Sequence, residues 1–148
     1  MTRAFTSPEE EAMLSVLRTA EVISQHGATL LKTFDLNANQ YNVLRILRGS
    51  GKIGLTCGQI GERMISRDPD ITRLLDRLES RRLIARERSE EDRRVVVARI
   101  TSAGLNLLRE SDPQILRYNK QFFESFGAKK LRQLIELLEE ARAAVAPQ

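Results

Sequence analysis

The chain is poor in the side chains that metal and thiol chemistry needs. It has one cysteine, Cys57, and one histidine, His26, in 148 residues. A structural zinc site usually takes four Cys or His ligands, so no metal is expected, and no cofactor. A lone cysteine excludes an intrachain disulfide, and one histidine leaves little room for a Cys–His or Ser–His nucleophile pair. Cys57 is read as a small packing residue and His26 as a structural or solvent-facing one. No apolar run approaches the roughly 18–20 residues of a transmembrane helix. Met1-Thr2-Arg3-Ala4-Phe5 lacks the apolar stretch of a secretory signal. A cytoplasmic protein without a membrane partner is the expectation. A Gly-rich phosphate loop is also missing, which makes an enzyme the least expected class.

What the chain does have is charge, and above all arginine. Hydrophobic residues make up 41%, enough for a core, and charged residues 30%. The formal net charge is +4 and the pI about 9.6. That balance suggests a polyanionic partner only weakly; the distribution says more. Of 24 basic residues 19 are arginines, and 11 of these fall between Arg63 and Arg99, where there is no lysine. Eight acidic residues share that window. A salt-bridged surface would account for the pattern. So would a surface that reads phosphates and bases, since the planar fork of arginine suits both.

Helix starts are well marked. Ser7-Pro8-Glu9-Glu10 offers a capping serine, proline at the first helical position and glutamate three after the cap. Met13, Leu17, Ala20, Ile23, Gly27, Leu30 and Phe34 then recur at helical spacing, with Leu14, Val16, Val22 and Leu31 off that stripe. A helix apolar on more than one side is covered by more than one neighbour, and a second subunit is one candidate. Asn37-Ala38-Asn39-Gln40 and Thr56-Cys57-Gly58-Gln59 are two further capping boxes; the helix after the first stops at Gly49-Ser50-Gly51, and the second opens a short helix to about residue 65. Asp68-Pro69-Asp70 starts a fourth helix, with Asp68 as its cap. Ile71, Leu74, Leu75 and Leu78 form its apolar stripe, while Thr72, Arg73, Asp76, Arg77 and Ser80 face out. A surface helix with pairs such as Arg73 to Asp76 is the plain alternative.

The segment "RERSEEDRRVVVARIT", residues 86–101, sets a charged run beside β-branched residues. Residues 83–88 and 95–100 read as two strands joined by a tip at 89–93. Thr101 caps a long last helical stretch that Pro113 should kink or break and Gly127 should divide. The order from Thr56 is therefore short helix, turn, helix, hairpin. A helix-turn-helix lays its second helix in the major groove, and the hairpin would be a wing.

Three stretches carry a resemblance: Leu75-Asp76-Arg77-Leu78-Glu79-Ser80-Arg81-Arg82-Leu83-Ile84-Ala85-Arg86, then Asp92-Arg93-Arg94, then Ile100-Thr101-Ser102-Ala103-Gly104. Together they resemble the winged-helix core of the MarR family of bacterial transcription regulators, with its "RLE..GLI.R" segment, "DRR" wing tip and "LT..G" helix start. Phe34 to Leu44 resembles the family's "gLt..q..vL" region, and the likeness covers about residues 30 to 108. Arg82 stands where the family usually carries glycine, and a cap geometry other than the left-handed one is expected there. The resemblance implies a wing arginine in the minor groove, held by the aspartate two before it: Arg94 as probe, Asp92 as orienter, Arg93 on phosphate or as substitute probe. It also implies a homodimer and an effector cleft, near which His26, Tyr41 and Arg45 would lie.

The fold expected is mainly α with a small β-hairpin: a winged helix-turn-helix at residues 35–100, flanked by dimerisation helices at 1–34 and 101–148. The function expected is a sequence-specific, ligand-responsive repressor acting as a homodimer on double-stranded DNA at a pseudo-palindromic site. Ser66, Arg67, Asp70, Thr72, Arg73, Arg77, Asp92, Arg93 and Arg94 are its candidate DNA contacts. The rival reading is a winged-helix protein–protein adaptor that does not bind DNA.

Overall fold

A computed structural model describes residues 5–66 and 70–145. In chain order the elements are α1 (Pro8–Lys32), α2 (Ala38–Ser50), α3 (Cys57–Arg63), α4 (Ile71–Ser80), β1 (Ile84–Arg88), β2 (Val96–Ile100), α5 (Ser102–Phe122) and α6 (Gly127–Val145), with a 3-10 turn at Glu124–Phe126. They divide into two compact units, one up to Asp112 and one from Pro113 on. The helix starts follow the caps. Ser7 accepts the Glu10 N–H, and Asn37/Gln40 and Thr56/Gln59 form reciprocal capping boxes. The cap of α4 is Asp70, whose Oδ1 accepts the Arg73 N–H at 3.1 Å, and not Asp68. Asp68 and Pro69, like Arg67, lie outside the described residues. Two aspartates two positions apart both suit a cap, and the downstream one lies next to the apolar stripe. The short helix α3 closes at Arg63, since Met64 is already extended.

In the first unit, Val43, Leu44 and Leu47 of α2, Ile60 of α3 and Leu75 and Leu78 of α4 are completely buried together with Leu108 of α5. The hairpin pairs antiparallel in the register Ile84↔Ile100 to Arg88↔Val96. Leu55 adds a one-residue third strand, exchanging two hydrogen bonds with Ala98. Val97 and Ala98 turn inward. Thr101 caps α5 through its Oγ1, which accepts the Gly104 N–H. A Cβ on Gly104 would stand 2.3 Å from the Leu83 carbonyl oxygen, so only glycine lets α5 start this close to the hairpin.

Two expectations are corrected, and a third, that Pro113 kinks or breaks the last helical stretch, loses the break. Helix α5 runs through Pro113 without a break. Proline removes one hydrogen bond there, but the residues on both sides stay helical. Cys57 is exposed and not a packing residue, because the first turn of α3 buries only Ile60 further on. Arg82 adopts φ 58, the left-handed conformation. The Leu83 N–H bonds the Leu78 carbonyl and the Arg82 N–H bonds the Glu79 carbonyl, the two bonds of a Schellman cap with arginine in the glycine position. Asp35, φ 54, closes α1 in the same way, with Leu36 N–H on Leu31 and Asp35 N–H on Lys32. Arg81 donates to the Asp35 carbonyl at 2.5 Å and pairs with its carboxylate at 3.5 Å.

In the second unit, Tyr118, Phe122, Phe123 and Phe126 form a chain of tilted and edge-on ring contacts. Helix α6 has no fully buried side chain, and Ile135 and Leu137 are exposed. In α1, likewise, only Leu31 is buried, while Met13, Val16, Leu17 and Val22 stand in solvent.

Helix α2 is tied to α5 by a polar cluster. The Tyr41 hydroxyl donates to Asp112 Oδ1 at 2.7 Å and Arg48 donates to Oδ2 at 2.5 Å. Burial and the bond to Asp112 push the Tyr41 phenol up to about 12. Burial by itself would raise Asp112, but the hydrogen bonds from Arg48 and Tyr41 outweigh it and hold the carboxyl below its usual range.

Two predictions follow from these geometries. Arg82→Gly relieves a left-handed strain of roughly 1–2 kcal/mol and loses part of that gain to the greater unfolded-chain entropy of glycine. A net gain of about 1 kcal/mol would raise the melting midpoint by about 3 °C; a lower midpoint in calorimetry would mean that the arginine side chain more than offsets its strain. In Asp112→Asn, ultraviolet titration should find the Tyr41 phenol moved from about 12 toward its ordinary 10. Because the folded Asp112 pKa is depressed, its stabilising contribution is present above the unfolded pKa of about 3.9 and lost as pH falls through the folded value. The acid limb of a stability curve should therefore flatten in the same variant.

Candidate nucleic-acid interface

The chain leaving α3 is tied to α2. Asn42 of α2 accepts the Ile65 N–H through Oδ1 at 2.9 Å. Ile65 itself is exposed, as is Ser66 beside it. Asn42 was not singled out in the sequence, because an asparagine inside a helix gives no hint of a partner 23 residues away. Asp70 spends its carboxylate on the helix cap. Leu74, Leu75 and Leu78 hold α4 to the core, and Thr72, Arg73 and Arg77 are exposed on its other side. Asp76, which the plain alternative would pair with Arg73, instead meets Arg86 of β1 at 2.6 Å. Glu79 is held by the same guanidinium, whose hydrogen bond draws the carboxyl below its usual range.

The wing tip closes on itself. The Ser89 N–H bonds the Val95 carbonyl at 2.8 Å, and the Val95 N–H bonds the Asp92 carbonyl at 2.9 Å. Asp92 Oδ1 accepts the backbone N–H of Arg94 at 2.9 Å, so this carboxylate fixes the Arg94 backbone and thereby where its side chain begins. Arg88 donates to the Arg93 carbonyl at 2.7 Å. Arg88 is a tip-forming residue that the sequence pattern passed over as part of a strand. Arg93 and Arg94 both project into solvent. Behind the tip, a cleft of about 740 Å³ opens toward the loop between α2 and α3, lined by Lys52, Ile53, Thr56, Arg63, Glu91 and Arg99 among others.

Tyr41 and Arg45 meet on α2, with the guanidinium 5.7 Å from the ring centroid. His26 lies on α1, its Nδ1 2.9 Å from the Val22 carbonyl one turn earlier. Among the described residues no three His, Cys, Asp or Glu side chains converge as metal ligands would. No described helix is long and apolar enough to cross a membrane. What the geometry offers is two convex, arginine-bearing elements in succession, a helix face and a hairpin tip. Guanidinium groups on such elements can enter the grooves of a duplex and pair with its phosphates.

Comparison with known proteins gives the same picture. The family profile described as "MarR family" matches residues 36–96. The HTH-type transcriptional regulator MhqR of Bacillus subtilis (strain 168) is 34% identical over 91 residues, 62% of this chain, and the match spans 61% of that protein's length. The crystal structure of the MepR–DNA complex of S. aureus superposes with a TM-score of 0.81 over 95% of this chain and 100% of that one; at 19% identity it speaks for the fold alone. The MarR transcription factor from Planctomyces limnophilus is 38% identical, with a TM-score of 0.70, over 92% of this chain and 98% of that chain. With that identity across nearly the whole of both chains, and with the winged core matched by the profile, this chain belongs to the MarR family.

Proposed function

We propose that the chain is a sequence-specific regulator of transcription. It binds double-stranded DNA as a homodimer on a pseudo-palindromic site, represses from there, and is released by a small-molecule effector. One observation carries this reading: the exposed Thr72, Arg73 and Arg77 face of α4 is followed by a wing whose tip is shaped to present Arg93 and Arg94. Residues 35–100 are the DNA-binding part. Thr72, Arg73 and Arg77, with Ser66, Arg67 and Asp70 at the start of the helix, meet the major groove. Arg94 probes the minor groove, where negative potential is enhanced in narrow tracts. Residues 1–34 and 101–148 pair two chains, a role supported by the uncovered apolar residues of α1 and α6. Two-fold symmetry then asks for a two-fold related site. Tyr41 and Arg45, with His26, are the effector-side residues in this reading.

Selection of bound duplexes from a random pool tests the core of it, with two half-sites in inverted repeat as the expected outcome. Arg94→Ala should remove one charge contact per subunit. The slope of log K against log salt should then shrink by roughly 2, at about 0.9 per phosphate neutralised, with half-site preference unchanged. Asp92→Ala should weaken binding although it removes a negative charge, because the Arg94 backbone is no longer fixed and more entropy is lost on insertion. Tighter binding by Asp92→Ala across a salt series would reduce the tip to an ordinary charged turn. Leu137 is 63% exposed, so Leu137→Glu costs an isolated chain little. It should nevertheless convert the protein to monomers in light scattering with its helical signal intact, and a persisting dimer would remove α6 from the interface.

A further inference from the structure

Strand β1 is the outer strand of the sheet, since β2 lies between it and Leu55. Ala98 spends its backbone groups on Leu55, so its cross-strand partner Arg86 has an N–H that points away from β2. That N–H is not left open. It donates to Glu79 Oε1 at 3.0 Å, while the Arg86 side chain donates to Glu79 Oε2 from Nε at 3.0 Å and from a terminal nitrogen at 2.6 Å. The same terminal nitrogen reaches Asp76 Oδ1 at 2.6 Å. One residue of the wing thus grips two carboxylates, three positions apart on α4.

The grip contributes little to holding the fold. The Asp76 and Glu79 side chains are 56% and 37% exposed, and ion pairs in such surroundings have small net worth. Leu75, Leu78 and Ile84 already clamp the helix to the hairpin with completely buried side chains. Apolar packing of this kind fixes proximity but tolerates rotation, whereas a forked guanidinium with a backbone N–H beside it fixes direction. Arg86 also offsets one of the two negative charges that Asp76 and Glu79 place on the helix that carries Arg73 and Arg77.

We infer that Arg86 is a positioning residue for DNA binding: gripping Glu79 and Asp76, it locks the wing to the reading helix at one angle, so that both reach the duplex in a single register. This rests on the reading of α4 and the wing as the DNA-contacting elements. Its consequence is that contacts made by the wing depend on the fork of Arg86, which touches no DNA itself.

The test is a double-mutant cycle. Arg86→Lys keeps the charge and the β1 backbone but loses the fork. Affinity is read by anisotropy of a labelled duplex recovered from the random-pool selection, for the parent, Arg86→Lys, Arg94→Ala and the double variant. Hydrogen exchange of residues 84–100 and the melting midpoint are measured on the free proteins. Expected are a midpoint close to the parent's, faster exchange in the hairpin, and a cost of Arg94→Ala that shrinks at least about threefold in the Arg86→Lys background. Costs that multiply independently within about twofold would overturn the positioning role. Unchanged hairpin exchange in Arg86→Lys would overturn it too, with or without DNA. A parent chain that selects no duplex would defeat the DNA-binding reading instead, and the exchange data on the free proteins would still decide whether the fork locks the hairpin.

Discussion

The structure turns on what happens at Arg82 and Leu83. The chain must leave α4 and enter β1 within three residues, and a left-handed Arg82 achieves this. The reversal sends Leu83 and Ile84 into the core and closes the last turn of α4. The carbonyls of the same two residues are used as well. Thr101 donates its Oγ1 hydrogen to the Arg82 carbonyl at 2.7 Å and its N–H to the Leu83 carbonyl at 3.1 Å. Helix end, strand start, strand end and the next helix start therefore meet at one backbone knot. Gly104 is required there because the knot leaves no room for a Cβ. An L-residue in a left-handed turn persists only where its surroundings determine it so fully.

Much of this was legible in the sequence, for local reasons. Capping boxes state where helices start, because the side chain at the cap and the one three later satisfy each other's backbone donors. The β-branched run beside a polar tip stated the hairpin within about a residue at each end. What escaped was whatever depends on a distant neighbour. The unbroken path of α5 through Pro113 is one case. The exposure of Cys57 is another, since a small residue near a helix start gives no sign of which side faces the core. Arg82 escaped for a different reason: propensity argues against a left-handed arginine, and three-dimensional closure overrode it.

Arginine density was a truer sign of the site's place than of its members. Between Arg63 and Arg99, Arg81 serves Asp35, Arg86 serves Asp76 and Glu79, Arg88 closes the wing tip and Arg99 pairs with Glu87. These hold the first unit's elements to one another. Of the arginines singled out as contacts, Arg73, Arg77, Arg93 and Arg94 are among the described residues, and all four are exposed. The acidic residues of the window sort in the same way. Asp76, Glu79 and Glu87 are spent on arginines, Asp70 on a helix cap and Asp92 on a turn. Arg86 and Arg99 thereby offset two of these negative charges.

The way the wing tip is closed bears on how such a protein diversifies. Its bonds run between Ser89 and Val95, Asp92 and Arg94, Asp92 and Val95, and Arg88 and Arg93, all within eight consecutive positions. None of them reaches the core. The tip is thus a self-contained cassette: its shape is written by its own few residues, and the hydrophobic interior does not register which ones they are. Substitutions there can be sampled without a folding penalty, whereas each change on α4 must be reconciled with a helix packed against that interior. A lineage carrying this architecture can drift quickly in what its wing meets while its helix preference stays put.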